Sequence, residues 1–496
     1  MTAPRPAPLP DREALAGRIF GRYAPILDDW PALMAALSRP LPPTVWANPL
    51  RLARSELAEL LRLDGVDSLP LEWSRTGLRL MDGARPGLHW GFLAGLFQVQ
   101  EAVSMLPVHV LDPQPGERIL DMCAAPGNKT AQIAVAMENR GTVVANDSSR
   151  GRIPAIRQTI KRLGLVNVAV TVRDAQGLDD RAGLFDRILL DAPCTCEGTF
   201  RKSSVPQVVA AAARERTARV QRRLLERAVR LTRPGGRIVY STCTLAPEEN
   251  EAVVDAVLRD HGIALRLVPA DLPGFRLDSG LTEWQGLHFH PDLVHARRVW
   301  PHHNDSGGFF FAVLEKIGDP SVPPAERLRP ASEAVTWLRP LTERFGIPPV
   351  MFDGMELVRR GGRHVHLVAA DHRLPAAPAP EMIGLPAIRR KSLPLKPTTA
   401  TVMLFGHRAS RNMVNLTPAQ MDAYRQRITV TMESSQLAAC SGPGYVIVRF
   451  RGQVVGMGQL IYDRDTPRVW LQSLFPKAWT AHQESARGLR ESVYSC

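Results

Sequence analysis

From residue 117 onward, short apolar runs alternate with longer stretches in which apolar side chains recur every three or four positions. The short runs read as buried strands and the periodic stretches as helices packed over them. Strands are predicted at 118–122, 142–147, 168–174, 185–193 and 237–243. Helices fit at 129–137, 152–164, 214–232 and 247–261, and two further strands, 263–268 and 309–316, complete the series. Consecutive parallel strands need a crossover, so this alternation predicts a parallel sheet covered on both faces. The expected fold class is α/β, a doubly wound Rossmann-like sheet spanning 105–317.

The flanks follow other patterns. Residues 11–40 read as short helices, with Leu15 and Ile19, then Leu33 and Leu37, at helical spacing. A mixed segment follows, and a helix is predicted across 95–111, so 1–104 reads as a helical and mixed N-terminal region. Beyond the sheet, 318–375 is charged and mixed, and the proline-rich stretch 376–397 predicts a linker. Residues 398–496 carry short strands punctuated by glycine, the pattern of a small β-rich barrel.

Charge adds a partner. Lys and Arg number 62 against 49 Asp and Glu, a formal +13. That surplus favours a polyanion, because each neutralised phosphate releases condensed counterions. The arginines are spread along the chain, which does not favour a membrane surface, and no apolar run is long enough to span a bilayer. The N-terminal MTAPRPAPLPDREALAG lacks the apolar core of a secretory signal, so a cytoplasmic location is expected. The six cysteines show no disulfide framework, and Cys194 and Cys196 are too close for a C-x-x-C pair.

Three constellations carry candidate chemistry. In ILDMCAAPGNKT, 119–130, a strand ends near Asp121 and a small-residue loop leads into a helix. Such a loop lets backbone N–H groups approach an anionic ligand end at a helix N-terminus. A phosphate-binding P-loop would need glycine before Lys129, where Asn128 stands. The acids Asp147, Asp174 and Asp191 end consecutive strands, and Asp147 lies twenty residues beyond Gly127, where an acid reaches ribose hydroxyls. Any one of them alone reads more readily as a cap or turn residue than as a ligand; three in register reverse that and point to an adenosine-containing cofactor. Finally, Cys194 follows the fourth strand and Cys243 ends the fifth, so both thiols can open onto one cleft as a nucleophile with a helper.

CAAPGNKT, DAPCTCEGT and STCT, with the flanking pieces FQVQEAVSMLP, PEENEAVV and RRVWPH…GFFFA, closely resemble the NOP/Sun (Fmu) family of RNA cytosine-C5 methyltransferases. The C-terminal layout is similar to the bacterial branch acting on 16S ribosomal RNA, whose extension resembles a PUA RNA-binding domain. The resemblance implies S-adenosylmethionine as cofactor, held by Cys123, Ala124, Ala125, Pro126, Gly127, Asn128 and Lys129, with Asp147 on the ribose and Asp174 on the adenine. It implies Cys243 as nucleophile, Cys194 as the residue assisting release, and Asp191 beside both cofactor and base. Asn128 and Cys196 depart from the family, which often has glycine at each. The resemblance implies 16S rRNA or the small-subunit particle as partner, bound in part by the RNA-binding region 1–104, with tRNA as the alternative substrate; a monomer is the default state, and a catalytically retired RNA-binding assembly factor is the alternative of another class. No metal is expected: His288, His290, His302 and His303 lack ligand spacing and read as turn and surface residues. Arg51 and Lys202 are candidate phosphate contacts, Trp46, Trp90 and Phe97 are expected in the core, and the arginines of 214–232 form a solvated face.

Overall fold

The computed structural model describes residues 12–202, 208–318, 334–359, 363–390, 392, 395–477 and 479. The proline-rich N-terminal residues and Cys496 lie outside them. Aliphatic runs with no polar alternation become strands buried on both faces. They are β1 (Arg118–Asp121), β2 (Thr142–Asp147), β3 (Val168–Val172), β4 (Phe185–Asp191), β5 (Thr232–Thr242) and β6 (Phe309–Lys316). Their order is 3-2-1-4-5-6, with the first five parallel and β6 antiparallel to β5.

Helices α1 (Asn128–Ala136), α2 (Ile153–Leu163) and α3 (Ala211–Leu231) lie in the crossovers β1–β2, β2–β3 and β4–β5, and α4 (Glu251–His261) lies between β5 and the antiparallel β6. Ile133 of α1 and Ile156 and Ile160 of α2 pack with Val143 and Val168 on one face. On the other face Leu224 and Ala228 of α3 and Val254 of α4 pack with Val144, Ile188 and Ile238. The exposed side of α3 carries charge, with Arg222 paired to Glu226 and Asp260. Connections leave β1 and β4 in opposite directions, and at such a switch point a crevice opens above the carboxyl ends of the strands.

The predicted helix over 95–111 is in part a strand. Phe97–Val99 pairs antiparallel with Thr44–Ala47, and the helix begins only at Ala102. The alternation Phe97, Gln98, Val99, Gln100 has the period of a strand, which a helical reading passes over. Those strands join Gly77–Leu80 and Ser68–Pro70 in a four-stranded N-terminal sheet. Trp46, Trp90 and Phe97 are buried there, as expected.

Residues 376–397 are not simply a linker. Met382–Ile383 adds to the edge of the central sheet beside β3, and Leu385–Arg389 joins a sheet with Met355–Arg359, His364–Ala369 and Lys396–Pro397. The buried side chains Met382, Ile383, Leu385, Ala387 and Ile388 supply the reason, because an extended apolar segment at a sheet edge buries itself there. Pro386 is tolerated where the ladder with His364–Ala369 shifts register. The C-terminal region is β-rich, a five-stranded sheet in which Gly444–Phe450, Gln453–Tyr462 and Val469–Ser473 are neighbours.

Two further expectations are corrected by long-range partners. Arg51 is turned onto the protein itself, not held out as a free surface cation: it donates to the carbonyls of Ala94, at 3.4 Å, and Val454, at 3.2 Å, joining the N- and C-terminal regions. Burial lowers its pKa to about 10. His302 and His303 are not surface residues. Their side chains are 4% and 2% exposed, and both Nε2 atoms meet Asp28 Oδ1, at 2.9 and 3.0 Å.

The pieces PEENE and RRVW meet in a buried ion pair. Arg298 Nε donates to Glu251 Oε1 at 2.6 Å, and neither side chain reaches solvent appreciably. Removing one partner leaves an uncompensated buried charge. Glu251→Gln is therefore expected to destabilise the fold by about 3–5 kcal/mol, to be read from urea unfolding. No helix among the described residues is long and apolar enough to cross a membrane.

Candidate active site

A cleft of about 1280 Å³ lies above the carboxyl ends of β1 to β5. It is walled by the β1–α1 loop on one side and by Pro42, Pro43, Gln98, Gln100 and Glu101 of the N-terminal region on the other. Cys123, Ala124, Ala125, Pro126, Asn128, Lys129, Asp147, Asp174, Asp191, Cys194 and Cys243 all line it. Gly127, the remaining predicted loop residue, caps α1 with φ of +103°. A side chain at 127 would also sit 3.1 Å from Ile156 Cα, so the sharp turn requires glycine.

Asp147 is 3% exposed and holds the loop's shape. Its Oδ2 accepts from Ala125 N at 3.0 Å and its Oδ1 from Ser149 N at 2.9 Å. Asp174 is exposed, capping its own turn through Gln176 N at 3.0 Å. Asn128, where the family often has glycine, accepts from Gln98 Nε2 at 2.6 Å and so ties the loop to the N-terminal sheet. Lys202 lines the cleft and pairs with Glu101.

Asp191 sits at the junction of the cofactor side and the thiol side. Its Oδ2 accepts from Lys129 Nζ at 2.6 Å and its Oδ1 from Ser241 Oγ at 2.8 Å. Burial alone would lower the Lys129 pKa, but the Asp191 carboxylate more than offsets it, and the ammonium is held above its ordinary value. The Cys243 thiol lies within that ammonium's electrostatic reach.

The paired strand ends of β4 and β5, Asp191 opposite Ser241, bring the two thiols together, with Cys194 Sγ 3.3 Å from Cys243 Sγ. A hydrogen bond from Cys196 draws the Cys194 pKa down. The bond with Cys243 and burial outweigh it, so Cys194 stays well above an ordinary thiol. Burial, with Asp121, Asp191 and Asp147 nearby, also pushes the Cys123 thiol up, which makes it no rival nucleophile.

Three supporting residues escaped the sequence reading. Glu249 accepts from Thr195 N, at 3.0 Å, and from Gln221 Nε2, at 3.0 Å, pinning the loop that carries Cys194. Gly198 runs against the β5 end: a side chain there would lie 2.1 Å from Gly308 O and 2.8 Å from Cys243 O. Asp121 is 1% exposed; its Oδ2 accepts from Thr130 at 2.6 Å, while its Oδ1 has no hydrogen-bond partner. Only the register of β1 against its neighbours reveals that Asp121 ends inside the cleft.

Burial raises Asp121 from 3.8 to about 7. A carboxyl whose folded pKa is raised contributes stability below its unfolded pKa, and loses it as pH rises through the folded value. Asp121→Asn is thus expected to melt several degrees above the parent at pH 8, with the difference vanishing near pH 4, in paired thermal melts of the ligand-free protein.

The donor set fits S-adenosylmethionine. The unpartnered Asp121 Oδ1 suits a buried cationic group, the β1–α1 loop suits a carboxylate, and the acids ending β2 and β3 suit an adenosine. Such a crevice on such a sheet defines a Rossmann-like methyltransferase.

Comparison with known proteins agrees. Residues 108–315 match the model of the family described as 16S rRNA methyltransferase RsmB/F. Ribosomal RNA small subunit methyltransferase F of Aeromonas salmonicida is 33% identical over 460 residues, covering 87% of this chain and 90% of that protein. The chain belongs to this RsmB/F family. A mouse protein named 28S rRNA (cytosine-C(5))-methyltransferase is 40% identical over 57% of this chain, which spans only 36% of that relative's length. Among solved structures, NSun6 from Pyrococcus horikoshii with SFG, an S-adenosylmethionine analogue, superposes with a TM-score of 0.52 at 25% identity, covering 62% of this chain and 98% of that one.

Proposed function

We propose that this chain methylates carbon 5 of a cytosine in 16S ribosomal RNA, in the cytoplasm, through a covalent bond between Cys243 and carbon 6 of the base. The observation that carries the reading is the thiol pair: two cysteines 3.3 Å apart at adjacent strand ends, beside a carboxylate and a lysine. A cofactor fold without the thiols would support methyl transfer of any kind; the thiols narrow it to a base that needs activation.

Carbon 5 of cytosine is a weak nucleophile. Addition of the Cys243 thiolate to carbon 6 breaks the ring's aromaticity and gives carbon 5 enamine character. Asp191 is the candidate to hydrogen-bond N3 of the base, and the Lys129 ammonium bonded to it would supply positive charge for the negative charge that develops there. S-adenosylmethionine, when bound, supplies an electrophilic methyl group on a sulfonium. The β1–α1 loop with Asp121, Asp147 and Asp174 would hold it. After transfer, a base must take the carbon-5 proton; the C–H electron pair restores the 5,6 double bond and the carbon 6–sulfur pair returns to Cys243. Cys194, beside that sulfur, assists this elimination. The target base must leave its stack to enter the cleft, and the +13 surplus draws the RNA to the protein.

The test is incorporation of labelled methyl from S-adenosylmethionine into size-fractionated RNA from a strain lacking this gene. Label in the 16S band, digested to 5-methylcytosine, is the expected result. Label in tRNA instead would keep the chemistry and overturn the substrate; no label would favour an assembly factor.

A further inference from the structure

Cys196 is the one thiol of the cleft that the methyl-transfer reading leaves without a task. It caps the short turn Glu197–Thr199 with φ of +60°, the left-handed region that a side chain rarely adopts and glycine adopts freely. A residue kept there against its backbone preference invites a reason from its side chain. That side chain turns back onto the catalytic pair: its Sγ lies 3.3 Å from Cys194 O and 3.9 Å from Cys194 Sγ.

We infer that Cys194, Cys196 and Cys243 together form a binding site for a soft divalent cation of the zinc or cadmium type, which silences the enzyme by occupying its nucleophile. The three Sγ atoms all lie within 4.8 Å of one another, with separations of 3.3 Å and 3.9 Å from Cys194 to its two neighbours. Sulfurs bound tetrahedrally at about 2.3 Å from zinc stand roughly 3.8 Å apart. The thiols are therefore already near the edge length of such a site. All three line the cleft, so a cation reaches them from solvent, and thiolates select soft cations over magnesium or calcium.

Binding is balanced by proton release: a divalent cation and three thiols give a tris-thiolate complex of net charge −1 and three protons, with water free to fill a fourth position. The Lys129 ammonium, which feels the Cys243 charge, moderates that negative charge. With its sulfur electrons committed to the cation, Cys243 cannot add to a base. Glycine at 196 would remove one ligand and leave the backbone relaxed, so such a variant keeps the fold while weakening the site.

The consequence for methyl transfer rests on the reading given above; the binding itself does not. The experiment titrates the reduced, chelator-treated full-length protein with Cd²⁺. It follows the ultraviolet thiolate-to-cadmium charge-transfer band and, in parallel, methyl transfer to RNA, each variant scaled to its own metal-free rate. One equivalent should raise the band and abolish transfer, with both effects reversed by a chelator. Cys196→Gly should lose most of the band and need at least tenfold more Cd²⁺ for half inhibition, while Cys440→Ser follows the parent. An unchanged band and inhibition in Cys196→Gly would overturn the inference. So would inhibition reversed by a phosphine reductant and not by a chelator, which would indicate disulfide formation instead. Absence of transfer in the metal-free parent would count against the methyltransferase reading alone, because the band would still report the site.

Discussion

Cys243→Ala is expected to abolish methyl transfer while leaving the fold and cofactor binding intact. The side chain follows the end of β5 at the cleft, partly exposed, so its truncation opens no large core cavity. Chemically nothing replaces it. Lys129 and Asp191 can polarise a bound base, but neither can saturate its 5,6 double bond. Enzymes stripped of a covalent nucleophile lose on the order of 10⁶-fold in turnover, which here means a rate below detection. Single-turnover assays with labelled cofactor and 16S RNA check this, alongside a cofactor-binding isotherm that should not move.

Cys194→Ala is expected to behave in the opposite way, leaving protein covalently joined to RNA. Cys243 remains able to add to the base and carbon 5 remains able to accept the methyl group. The step impaired is the last, in which the carbon-5 proton departs and Cys243 is expelled. A species surviving denaturing electrophoresis, radiolabelled in both RNA and methyl group, should accumulate to a large fraction of the enzyme. If Cys194→Ala gave no such species and Cys243→Ala did, the roles of the two thiols would be exchanged.

The parts of the molecule readable from sequence were those set by local pattern. Strands β1 to β6 follow from aliphatic runs, and β2 and β6 begin and end at the residues expected. The residues proposed for the site cluster for the same reason: they occupy the carboxyl ends of adjacent parallel strands, so their register follows from the order of the sheet. What the pattern could not show depends on partners far along the chain. Arg51 reads as surface charge until Val454 lies beside it, and His302 and His303 read as surface until Asp28 accepts from both. Glu249 stands in an acidic run like any helix N-terminus, and only packing shows it gripping the Cys194 loop. The proline-rich 376–397 has a linker's composition, but a handful of apolar residues within it outweigh the prolines once a sheet edge is available.

On the mechanism proposed above, the Cys243 sulfur attacks the base and Cys194 is needed only for its release. The most direct measurement is tandem mass spectrometry of the complex trapped by Cys194→Ala after nuclease and protease digestion. A methylated cytidine attached to the peptide containing Cys243 is the expected product. Attachment at Cys196, or at any residue other than Cys243, would contradict that mechanism.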